Sequence, residues 1–86
     1  MNWPDAEMNE IRSREDLAAY LQNLANAISD GRVVLENPSS TEFIEASARW
    51  TKAMDGFFGN VVGESVPDSP SWAMIAAMFR AAVTYE

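Results

Sequence analysis

The last stretch of the chain, residues 71–86, reads SWAMIAAMFRAAVTYE and is apolar on nearly every side. Trp72, Ile75, Phe79 and Val83 recur at helical spacing. Met74, Met78 and Tyr85 form a second flank, with alanines between, and Arg80 and Thr84 interrupt the run well inside it. A helix apolar all round is buried on most sides or spans a membrane. A span needs roughly 20 apolar residues. This segment is shorter and carries Arg80, so the pattern predicts a core helix packed by two others, or by one other and a second copy of itself.

The remaining pattern supplies those partners. Ser13 is a good N-cap, Glu15 and Asp16 favour a first helical turn, and Leu17, Leu21, Leu24 and Ile28 then make one apolar stripe joined by Tyr20. Gly31 stands where a helix terminator is wanted. Ser39-Ser40-Thr41-Glu42 fits a capping box, followed by Phe43, Ser47, Trp50, Met54 and Phe57 on one face. Asp55-Gly56 is an awkward point in that helix, which is expected to continue to Gly59. Arg32–Pro38 is expected to be an extended connector that lays Val34 or Leu35 on the core. Residues 60–70, with Gly63, Pro67 and Pro70, read as a loop anchored by Val61, Val62 and Val66. Asp68 or Ser69 would cap the last helix, with Pro70 in its first turn. The fold class that follows is all-α: a single domain over 1–86, a small three-helix bundle with helices at about 14–30, 40–59 and 70–85 and irregular connectors. Residues 1–12 form a loosely ordered lead-in from which Trp3, Met8 and Ile11 can tuck against the body.

Several function classes fall away on composition. The chain of 86 residues has no Cys and no His, so it lacks the usual nucleophile–base pairs and the commonest metal ligand, and no disulfide is available. No GxSxG elbow, phosphate loop or calcium loop is present. Glu42 and Glu45 lie near each other on a helix, but beside Arg49 and Lys52 they read as a solvated face. No catalytic residue, metal site or cofactor is expected. The opening MNWPDAEMNE lacks the basic start and apolar run of a signal peptide, which points to a cytoplasmic protein. With 13 acidic residues against 6 basic ones, the net charge of −7 opposes nucleic-acid binding and no membrane span is expected. The same charge suits a basic protein partner, or serves solubility alone.

A family resemblance adds to this reading. Ile11–Leu24, Trp50, Met54–Asn60 (MDGFFGN), Pro70–Trp72 (PSW) and Tyr85–Glu86 together resemble a family of small, all-helical bacterial proteins known only as a domain of unknown function. The resemblance covers most of the chain. It implies a helical domain and brings no activity. Asp55-Gly56-Phe57-Phe58 and Pro67-Asp68-Ser69-Pro70 are also similar to an acidic, aromatic, serine–proline stretch of the immunity proteins that neutralise nuclease toxins. The aromatic pair here is not the tyrosine pair typical of that class, and the spacing differs, so the likeness stays at the level of class.

The leading expectation is therefore a non-enzymatic protein–protein interaction module, of inhibitor or immunity-like type, for a basic partner. Two adjacent aromatics cannot share one helix face, so one of Phe57 and Phe58 is expected to be exposed beside Asp55. The contact residues are Asp55, Phe57, Phe58, Glu64 and Asp68, held in place by Trp50, Trp72 and Phe79. The flank Met74, Met78, Ala81 and Tyr85 is a candidate homodimer face, unless the connector and the 61–66 loop cover it. The alternatives are a small-molecule-binding domain, with an aromatic cavity between the second and third helices into which Arg80 or Asp55 points, and a structural self-associating subunit.

Overall fold

The computed structural model describes residue 3 and residues 5–84. Four α-helices follow in order: α1 (Ala6–Asn9), α2 (Arg14–Ser29), α3 (Ser40–Phe57) and α4 (Trp72–Thr84), with a π-helical turn over Phe58–Val62 closing α3. No strand occurs among the described residues. The all-α expectation holds, and α4 is the element the others share. It packs against α1, α2 and α3, whereas no Cα of α2 comes within 8 Å of one of α3. The bundle is thus two helices laid on a common third.

Alanine makes that arrangement physically accessible. Ala73, Ala76, Ala77 and Ala82 of α4 are all buried, together with Met74 and Val83. Small side chains let neighbouring backbones approach on several sides at once. Of the large stripe named from periodicity only Val83 is fully buried: Ile75 and Phe79 are half-buried and Trp72 is 42% exposed. Trp72 therefore does not hold a surface from within the core. The start of α4 also differs from expectation. The Ser71 hydroxyl accepts the Met74 N–H at 3.1 Å, so Ser71 caps the helix and Asp68, Ser69 and Pro70 all precede it.

The other ends are closed by side chains and turns. Ser13 Oγ accepts the Asp16 N–H at 3.1 Å, while Asp16 Oδ2 takes the Arg12 N–H at 3.0 Å. This is a capping box displaced by one residue, since the reciprocal bond reaches Arg12 rather than Ser13. At the far end Gly31, at φ 78°, donates to Ile28, and Arg32 donates to the Ala27 carbonyl at 2.9 Å. That pair of bonds is a Schellman motif. Ser39 Oγ accepts the Glu42 N–H and starts α3. The connector then closes α4 from 45 residues away: Asn37 Nδ2 donates to the Ala82 carbonyl at 2.9 Å, and the Glu36 N–H to that of Val83 at 2.9 Å. Those carbonyls belong to the last turn, which has no partner of its own. Leu35 is half-buried and Val34 is 70% exposed, so of the two only Leu35 packs inward.

Residues 1–12 are not a loose lead-in where they are described. Asp5 caps α1 by accepting the Glu7 N–H at 2.9 Å, and Trp3, Met8 and Ile11 are buried in the core. Asn9 fixes the tryptophan through its backbone: Asn9 Oδ1 accepts the Trp3 N–H at 2.7 Å, and Asn9 Nδ2 donates to the Trp3 carbonyl at 2.9 Å. Gly56 sits within α3, which continues past it as expected. The π turn ends at Gly63, whose φ is 80° and whose N–H reaches the Phe58 carbonyl at 2.7 Å. Of the three valines expected to anchor the following loop, Val62 packs against the core, while Val61 and Val66 are exposed.

Candidate functional site

The expected contact residues separate into surface and core. Asp55, Glu64 and Asp68 are exposed. Phe58 is fully buried and cannot touch a partner, while Phe57 is half-buried. The rings of Trp3, Trp50, Phe57 and Phe58 form one cluster, with centroids 5.6–6.1 Å apart in each touching pair. Edge-on and tilted contacts of this kind are the favoured aromatic geometry. Trp3 is what reconciles two adjacent phenylalanines with one core: their rings stand at 87° to each other, and both touch it. Asp55 and Glu64 do line one shallow groove of about 630 Å³, with Gly59, Gly63 and Val66; Asp68 is not part of it.

The candidate dimer face divides between the core and the partly covered surface. Met74 is 7% exposed within the core cluster, and Met78 and Ala81 pack against that cluster half-buried. Tyr85 lies outside the described residues. Phe79 is held by Phe43, their ring centroids 6.0 Å apart.

A more enclosed chemistry lies between α3 and α4. Ala77, Arg80, Ala81 and Thr84 share one face of α4 at spacings of three and four. Facing them are Trp50 and Phe57 of α3, and the wall is completed by Trp3, Asp5 and Met8. The groove has a volume of about 500 Å³. Its width follows from the two alanines, which do not fill the space opposite the aromatic rings. Arg80, half-buried, is the cation lining it. The ion pairs among the described residues are Arg14–Glu15 and Arg32–Asp30, and Arg80 has neither an ion pair nor a hydrogen bond there. Asp5 lines the same groove, with Oδ1 committed to capping α1.

Arg80 also borders a smaller recess with Tyr20, Glu7 and Arg32. Burial pushes the Tyr20 hydroxyl above its usual value of 10.0; the carboxylates of Glu7 and Asp5 act in the same direction and Arg80 opposes them. A further groove of about 570 Å³ runs from Trp3 and Met8 to the exposed Trp72. Its cation, Arg12, already donates through Nε to the Asn9 carbonyl at 3.2 Å. No group of three or more acidic residues able to hold a metal occurs among the described residues.

Sequence reasoning named Trp50, Phe57 and Arg80 but not Trp3, Asp5 and Met8 as walls of their groove. The available signal was Trp3 itself, a side chain too large and apolar to be left in solvent without cost. No curated protein matches the chain, and neither does any solved structure. A family model does match, from the N-cap serine of α2 onward: the chain belongs to DUF7660, a family of unknown function, over residues 13–86.

Proposed function

We propose that this chain is a non-enzymatic binding module that takes a small organic molecule in the groove between α3 and α4. The observation that carries the reading is an aromatic wall, Trp50 and Phe57, facing a half-buried Arg80 across two alanines. Small-molecule sites are concave and mostly apolar with a few polar groups, in volumes of roughly 300–1,000 Å³. Trp50, Phe57, Ala77 and Arg80 all lie within the residues matched by the family, while Trp3, Asp5 and Met8 precede them. The absence of Cys and His from the sequence favours binding over catalysis.

The test is a fragment screen followed by amide, indole and methyl signals in NMR. Hits should converge on Trp50, Ala77 and Ala81, and Ala81→Trp, which fills the groove, should lose them. Hits that persist unchanged in a folded Ala81→Trp protein would remove the reading.

A second reading keeps the protein-interaction role in altered form. Asp55 and Glu64 line one groove with Val66, and Val61 beside it in sequence is 54% exposed. A basic partner with small apolar side chains would fit that surface. Retention of such a partner should fall with salt and be lost in Asp55→Lys/Glu64→Lys; retention unaffected by both would exclude it.

A further inference from the structure

We infer that the ligand of the α3–α4 groove is a small organic monocarboxylate with an apolar body, its carboxylate paired with Arg80 and its body laid against Trp50 and Phe57. The inference rests on the binding reading above and names its ligand class. A guanidinium stays charged at any pH a protein meets, so its partial burial calls for an anion or water. Among the described residues Arg80 has no ion-pair partner. Its planar fork matches a carboxylate through two parallel hydrogen bonds.

The surroundings narrow the class further. Asp5 lines the same groove and the chain carries a net charge of −7, so a second negative charge on the ligand would be repelled. That disfavours phosphate esters and dicarboxylates. The walls supplied by Trp3, Met8, Trp50 and Phe57 require an apolar body to bury. Long-range steering opposes an anion here, so recognition is local. Raising salt screens the repulsion from the rest of the surface more than it weakens a half-buried pair. Affinity should therefore depend weakly on salt, unlike that of a basic protein on the acidic groove.

The experiment is an NMR titration of the full chain with benzoate, hydrocinnamate and octanoate, each compared with its primary amide, on the wild type and Arg80→Gln. The Trp50 indole N–H and the Arg80 Nε–H are the reporters. The expected result is that at least one acid moves both signals, that its amide binds roughly tenfold or more weakly, and that Arg80→Gln brings acid and amide to the same affinity, a loss of the size expected for a charge-assisted hydrogen bond. Should Arg80→Gln fail to fold, Arg80→Lys, which keeps the charge without the fork, should bind the acid with intermediate affinity. Acids and amides binding equally well would overturn the carboxylate assignment and leave the groove a ligand site. Neither series moving any groove signal would overturn both.

Discussion

The ring of Trp3 meets the ring of Phe58 nearly edge-on, with centroids 5.6 Å apart and planes inclined at 66°. The contact joins the first described residue to the π turn that closes α3, and Asn9 holds Trp3 in place by both of its backbone polar groups. The amino-terminal segment is thereby part of the core. Trp3→Ala should lower unfolding free energy by about 3–5 kcal/mol, as for other buried aromatics. Asn9→Ala should lower it by about 1–2 kcal/mol, the loss of two neutral hydrogen bonds. Urea denaturation measures both. An unchanged midpoint for Trp3→Ala would mean the segment is not packed.

Gly56 and Gly63 should respond oppositely to alanine. Gly56 lies inside α3 with open space where a Cβ would stand. Gly56→Ala should therefore stabilise by about 0.8–1 kcal/mol. Gly63 has equal room but a φ of 80°, so Gly63→Ala should destabilise by about 1–2 kcal/mol. Thermal unfolding of the two variants checks whether the helix runs through one glycine and is ended by the other.

Phe58 and Asp55 stand three residues apart and should behave as core and surface. Phe58→Ala should lose about 3–5 kcal/mol, because the side chain is fully buried. Asp55→Ala should stay within about 0.5 kcal/mol of the wild type. A partner that bound through Phe58 would instead show a folded, stable Phe58→Ala protein with lost affinity.

Tyr20 gives a pH dependence with a definite sign. Its hydroxyl is held above the ordinary 10.0 by burial and by Glu7 and Asp5, so the unfolded chain releases that proton first. The stability it contributes is complete below the unfolded value and is lost as pH rises through the interval up to the folded one. Stability measured across this alkaline interval should fall less steeply in Tyr20→Phe than in the wild type.

The role of α4 was legible because an all-round apolar helix has to be enclosed. Which of its faces lies deepest was not. Periodicity counts large residues and pointed to Trp72, whereas close backbone approach on three sides buries Ala73, Ala76 and Ala77. Phe57 and Phe58 were misread because neighbouring helical side chains diverge by about 100°. The ring of Trp3, more than fifty positions away, brings both into one cluster, and no local pattern encodes that contact. The helix caps at Ser13 and Ser39 were readable, since capping depends on residues three apart. The acidic groove was half readable: Asp55 and Glu64 line it together, and Asp68 does not. Arg80 stood out as a charge in an apolar run, and its groove depends on the small size of Ala77 and Ala81.

The most direct measurement is a crystal structure of the protein grown with hydrocinnamate. The account predicts density for the ligand between α3 and α4, its ring against Trp50 and Phe57 and its carboxylate within hydrogen-bonding distance of the Arg80 guanidinium. A groove closed by this chain's own residues, with Arg80 paired to one of its own carboxylates, would contradict it.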